Sequence, residues 1–218
     1  MGKRKRKGAF SNFSSGVSSA YDMGKKALRI ANEVKQLLNV EFKYHETVIS
    51  AQDGDFAGVV TDLFDAAQED AQGTRDGDQV KAKRIVVRGS FVGGTQSGGN
   101  RVRLMLVKTV DGSTPTGASV LDGSIGGTNA VLAHKNYSNR KNNRVLWDRT
   151  FFVDNATGAG PARKLFKINI PLNDVVLFDA GTGTSTANRF YLLHVADIAA
   201  GVGVTDLSAV SRIYYVDN

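Results

Sequence analysis

A chain of 218 residues, 41% hydrophobic, with a formal net charge of +7 and no cysteine, has enough material for a full core without covalent staples. The missing cysteines exclude disulfides, thiol catalysis and cysteine-ligated zinc or iron–sulfur sites, and they argue against a disulfide-dependent secreted fold. No apolar run approaches the roughly 18 residues that span a bilayer, and the basic start runs into Ser, Asn and Gly, so neither membrane insertion nor a signal peptide is expected.

The charge is unevenly placed. Residues 1–40 hold nine cations (Lys3, Arg4, Lys5, Arg6, Lys7, Lys25, Lys26, Arg29, Lys35) against Asp22 and Glu33, which accounts for the whole net charge. Residues 41–218 hold nineteen basic and nineteen acidic residues. A neutral body with a basic arm points to a polyanionic partner. Basic termini also serve as solubilising tails or nuclear-import signals. Myristoylation is disfavoured, because Arg6 stands where the signal wants Ser or Thr.

Residues 1–16 are basic and then Ser/Gly-rich, and read as a flexible arm. From Ser19 to Leu38, Ala20, Ala27, Ile30, Ala31, Val34, Leu37 and Leu38 recur at helical spacing. Ser19 with Asp22 fits a capping box. Lys25, Lys26 and Arg29 gather on one side, which makes a basic amphipathic helix; the same pattern suits a helix packed on the body with its lysines in water. The domain boundary is placed between 1–40, arm and helix, and 41–218.

Beyond Val40 the texture is β: runs of Val, Ile, Phe and Tyr punctuated by Gly, Ser, Thr and Asn. Eight strands are expected, at Glu41–Ser50, Lys81–Val92, Arg101–Val110, Arg144–Asp154, Arg163–Pro171, Asp174–Asp179, Arg189–Asp197 and Val210–Asp217. In the third, Val102, Leu104 and Leu106 point one way and Arg101, Arg103 and Met105 the other. The first long link, 51–80, is expected to hold a helix through Phe56, Val59, Val60, Leu63, Phe64 and Ala67. That link and 111–143 far exceed ordinary loop lengths. Since alternate links of a sandwich emerge at opposite ends, they should meet at one elaborated end.

Catalytic signatures are lacking. His45, His134 and His194 show no metal-binding spacing, and no nucleophile elbow, P-loop or dinucleotide fingerprint occurs. The pairs Asp53/Asp55 and Asp76/Asp78 read as turn and cap residues rather than calcium ligands. No enzyme activity, cofactor or metal is expected. Trp147 and Phe91 could stack on bases, although their place within strands favours core packing.

Several segments share a resemblance. "GTRDGDQVKAKRIVVRGSF" (73–91), "STPTGASVL" (113–121), "NRVLWDRTFFV" (143–153), "RKLFKINIPLN" (163–173), "RFYLLHVADI" (189–198) and "SRIYYVDN" (211–218) resemble, in order, the strands of capsid proteins of circular single-stranded DNA viruses that encode a replication initiator, the circovirus-like group. The short arm followed by an amphipathic helix is similar to satellite tobacco necrosis virus-type coat proteins. The resemblance implies an all-β, eight-stranded single jelly roll with sheets B-I-D-G and C-H-E-F. It also implies an icosahedral T=1 shell of about sixty copies, in which the long links B–C and D–E, with H–I, would meet at one symmetry axis. The basic arm would hold the genome: single-stranded DNA, with RNA as the alternative. Host import and cell-surface receptors would be further partners, and the protein would reside in the virion and, before assembly, in the host nucleus. Arg101 and Arg103 would then line the interior from a B-I-D-G face, or else pair with local Asp residues. Rival readings are a soluble nucleic-acid-binding module, a β-sandwich attachment or carbohydrate-binding domain, and a jelly-roll hydrolase.

Overall fold

The computed structural model describes residues 21–30, 42–69, 74–94, 99–122, 130–154, 162–180, 183–199, 201 and 205–217. The chain divides into two units, Met1–Val40 and Glu41–Asn218. In the first, residues 21–30 form helix α1, exposed along its length, with the Lys25 ammonium 4.5 Å from the centre of the Tyr21 ring. Lys25, Lys26 and Arg29 lie on this helix; Lys3, Arg4, Lys5, Arg6, Lys7 and Lys35 fall outside the described residues. No helix among the described residues is long and apolar enough to cross a membrane.

The described residues of the second unit form nine strands: β1 (Phe42–Asp53), β2 (Val59–Asp62), β3 (Gln79–Val92), β4 (Asn100–Thr109), β5 (Asn143–Val153), β6 (Arg163–Phe178), β7 (Ser185–Ala187), β8 (Arg189–Ala196) and β9 (Asp206–Asp217). One turn of helix, α2 (Gly117–Val120), and one 3-10 turn (Ala130–Leu132) interrupt the β4–β5 connection. The sheets run β1-β9-β3-β6-β7 and β2-β8-β4-β5, with every strand pair antiparallel. With the three-residue β7 left aside and the others lettered B to I in chain order, the sheets are B-I-D-G and C-H-E-F. The fold is a single jelly roll.

The strand assignment differs from the expectation in two places that cancel in the count. The expected helix around Phe56–Ala67 is instead strand β2, paired with β8 from Val59↔His194 to Asp62↔Tyr191. Gly58, at φ +82°, is not in a helical conformation, and the β-branched pair Val59–Val60 suits an edge strand. The apolar residues expected on one helix face part company: Phe56 and Val60 pack outside the C-H-E-F sheet, whereas Leu63 and Phe64 enter the inter-sheet core. Conversely, the two segments expected at 163–171 and 174–179 are one strand, β6, running through Pro171. That proline sits opposite Arg84, where β3 bulges, and among the described residues β6 there has no neighbour on its other side, since β7 pairs with Leu177 and Phe178. A strand accepts proline at such a bulge or edge.

These changes shift the lettering. Arg101–Val110 corresponds to strand E of the C-H-E-F sheet, not to a member of B-I-D-G. The B–C link (54–58) and D–E link (93–99) are short, while the long connections are C–D (63–78) and E–F (110–142). Long links do share one end of the sandwich, but it is the opposite end from the B–C/D–E/H–I end that the resemblance implied. Buried Arg75 closes part of that end. Its guanidinium donates to the Asp179 carbonyl at 2.8 Å and lies 4.4 Å from the centre of the Phe178 ring.

The main core lies between the sheets, where Val102, Leu104 and Leu106 of β4 meet Ile85, Val87, Phe91, Phe166, Ile168 and Ile213 from the other sheet. A second cluster covers the outside of C-H-E-F: Met105, Val107, Leu193 and Val195 pack under Val120, Leu121, Ala130 and Val131 of the E–F connection. Strands β4 and β8 are therefore buried on both faces and read as near-continuous apolar runs.

Candidate nucleic-acid interface

Among the described residues the B-I-D-G sheet carries no such cover on its outward face. Strand alternation sends Val80, Ile85, Val87, Phe166, Ile168 and Ile213 inward, so Arg84, Val86 and Arg88 of β3, Lys167 of β6, and Val210, Arg212 and Tyr214 of β9 point outward. The register sets them in cross-strand rows. Tyr44, Tyr214 and Arg84 form one; Glu46, Arg212, Val86 and Asn169 the next; Val48, Val210, Arg88 and Lys167 the third; Ser208, Ser90 and Leu165 the fourth. Arg84, Arg88, Lys167, Arg212 and Tyr214 surround a depression of about 360 Å³.

Its electrostatics are one-sided. Four cations face one carboxylate in these rows, that of Glu46, which accepts from Arg212 Nε. Arg84 Nε donates to the neutral Asn169 Oδ1 at 2.7 Å. Arg88 and Lys167 are direct cross-strand neighbours, and among the described residues no carboxylate pairs with either. Like charges directly opposite destabilise a sheet, so the fold carries a repulsion here that a bound phosphate would relieve. Aromatic surface lies alongside: Tyr44 and Tyr214 stand 6.3 Å apart at 48°, and the Arg212 guanidinium lies 4.9 Å from the centre of the Tyr44 ring.

Arg101 and Arg103 are engaged elsewhere, on the outward side of C-H-E-F. Arg103 is nearly buried. Its Nε and Nη2 donate to the two Asp148 carboxylate oxygens, each at 2.8 Å, and its Nη1 donates to the Val131 and Ala133 carbonyls of the E–F connection. Burial alone would raise the Asp148 carboxyl, but the bonds from Arg103 and Lys135 outweigh it and hold the group below the usual carboxylate range. Arg101 is more exposed, and its Nε donates to Asp197 at 2.8 Å. The alternative with local Asp partners is the one observed. Both arginines share a face of their strand as expected, but the strand belongs to the other sheet.

Phe91 is fully buried and Trp147 packs partly buried against the core. The half-buried pair Tyr44 and Tyr214 on the outward side of B-I-D-G was passed over by sequence reasoning; its signal was the outward period of β1 and β9, legible only with the register in hand. Of the acidic pairs, Asp55 accepts from Gly58 N–H at 2.7 Å, Asp76 from Lys43, and Asp78 from Arg75. Among the described residues no group of three or more His, Asp or Glu side chains is placed to hold a metal.

No protein-family model matches the chain, and no curated protein matches it. Among solved structures it is similar to dimeric latent PorU from Porphyromonas gingivalis (8% identity, TM-score 0.39, 82% of this chain and 13% of that one). It is also similar to Desmodium yellow mottle tymovirus (12%, TM-score 0.40, 81% and 86%) and to the 60-mer BFDV capsid protein (10%, TM-score 0.26, 80% and 89%). The chain thus spans a small fraction of PorU and most of the other two. The jelly-roll assignment rests on strand order and register, not on these likenesses.

Proposed function

We propose that this is a viral capsid protein whose jelly roll assembles with copies of itself into a closed shell around a nucleic-acid genome. Its role is structural and not catalytic. The observation that carries the reading is the coincidence of two positive regions. The segment 1–40 holds the whole net charge of the chain, and it leads directly into β1, a strand of the sheet whose outward face carries Arg84, Arg88, Lys167 and Arg212. Lys and Arg bind phosphates by releasing counterions and need no base sequence. Many arms facing one cavity gain from effective concentration.

In its finer form the shell is a T=1 particle of about sixty copies that packages single-stranded DNA. Lys3, Arg4, Lys5, Arg6, Lys7, Lys25, Lys26, Arg29 and Lys35 act as the handle, and the first cluster doubles as a nuclear-import label before assembly. Arg101 and Arg103 leave the handle, because their ion pairs hold the E–F and H–I connections. The test is sedimentation of the purified protein with absorbance at 260 and 280 nm, before and after DNase or RNase treatment of opened particles. A fast, uniform boundary rich in 260 nm absorbance and sensitive to DNase is expected. A slow boundary near monomer size, free of nucleic acid at low salt, overturns the reading.

A further inference from the structure

The outward face of B-I-D-G carries more than charge. Beside the cationic depression, and sharing Arg88, Lys167 and Val210 with it, lies a second depression of about 700 Å³ lined by Val48, Ser90, Leu165 and Ser208. Leu165 is 78% exposed and Val48 64%. Neither side chain contributes to the core, so core packing gives no reason for them to be apolar. Their neighbour Gly89 lets the adjoining strands β9 and β6 of the same sheet pack close behind them: a Cβ there would stand 2.6 Å from the Ser208 carbonyl oxygen and 2.7 Å from Phe166 Cζ.

Cations and apolar groups alternate along the face. The rows of β3, β6 and β9 pair Arg84 with Tyr214, Arg212 with Val86, and Arg88 and Lys167 with Val210, and then end at Leu165. Rows on one face repeat every ~6.8 Å along a strand. A duplex presents phosphates outward and keeps its base faces stacked, so a comb of cations would serve it and the apolar groups would gain nothing. A single strand presents both. A second copy of the chain docked on the same face would set like cations against each other. We infer that this face is a single-strand site, in which phosphates lie on Arg84, Arg88, Lys167 and Arg212 while unstacked bases lie on Tyr214, Val210, Val48 and Leu165. The inference rests on the packaging reading, because it needs this face turned to the genome.

The test uses the full-length protein and three labelled probes: a short oligothymidine, an abasic strand of the same length, and a duplex. Wild-type protein should bind oligothymidine about tenfold more tightly than the abasic strand. The double substitution Val48→Ser with Leu165→Ser should remove most of that preference and leave abasic binding unchanged, whereas Lys167→Ala should weaken both. Photo-crosslinks from 4-thiothymidine should map to the peptide containing Tyr214 or to that containing Leu165. Equal affinity for the two strands, or a base preference that the serine substitutions leave untouched, overturns the single-strand site while packaging stands. Failure to bind either strand overturns packaging itself.

Discussion

The imidazole of His194 on β8 packs onto the Cα of Gly54, just past the end of β1: a Cβ at 54 would stand 2.4 Å from its Cε1 and 2.5 Å from its Nε2. The ring is fully buried, 5.3 Å from Phe91 centre to centre, and has little room to give. Gly54→Ala should therefore cost about 1–3 kcal/mol through overpacking. Adding His194→Ala should recover part of that loss, because the clash disappears. Urea unfolding of the two single variants and the double variant measures both; strictly additive losses would mean that the ring and residue 54 do not compete for the same space.

Acid should destabilise the body through the same histidine. Among the described residues neither ring nitrogen has a hydrogen-bond partner. Burial pulls the group down to about 4, with the Asp53 charge opposing only in part. Above its unfolded value of roughly 6.5 the ring is neutral in both states and the contribution is complete. As pH falls from 6.5 to 4, the unfolded chain takes up the proton and the folded one does not, so stability drops by on the order of 3 kcal/mol. Asp206, raised by its hydrogen bond with Asp53, acts in the opposite sense, losing its contribution as pH rises. Comparing unfolding midpoints of wild type and His194→Phe across this range isolates the histidine: the variant should lack the acid limb, and an unchanged limb would assign it to other groups.

The two arginines of β4 should differ sharply. Asp148→Ala leaves the nearly buried Arg103 without its bidentate partner and should destabilise the protein by about 3–5 kcal/mol. Arg101→Ala, at a pair whose arginine is 40% exposed, should cost about 1 kcal/mol or less. Thermal or chemical denaturation decides. Similar small losses at both sites would return Arg103 to the pool of cations available for a genome.

Salt should report the outward cations directly. For single strands, log K falls with log[salt] at a slope of about 0.7 per phosphate contact. Arg88→Ala with Lys167→Ala should reduce that slope by about 1.4 while stability is kept or slightly raised, since a like-charge cross-strand pair is relieved. Deleting residues 2–7 should reduce the slope further and lower the nucleic-acid content of particles without unfolding the body. Particles that package equally well after the deletion would remove the arm from the handle.

The strand alternation of residues 101–110 and the turn-rich links beside it were legible because they are local. Two adjacent valines at 59 and 60 were not, since a short apolar run satisfies helix and strand periods alike. What decided between them was pairing with β8, more than a hundred residues later. Likewise Asn173 and Asp174 look like turn residues but mark no boundary. Nothing local distinguishes a turn at Pro171–Asp174 from a long strand crossing a bulge, and the register with β3 made it the latter.

The composition and its distribution alone determined the β class, the neutrality of residues 41–218 and the basic segment before them, because residue type and short-range period carry that information. Only the tertiary structure decided where the folded body is basic. Arg84, Arg88, Lys167 and Arg212 come from three strands spread over more than 120 positions, and an antiparallel register is what brings them to one face. Strand pairing in the other sheet buried Arg103 against Asp148 and set Arg101 beside Asp197, so the two body arginines that the resemblance offered to a genome are paired with carboxylates. Adjacency in a sheet is a long-range property, and charges in sequence become a surface only once the strands have chosen their neighbours.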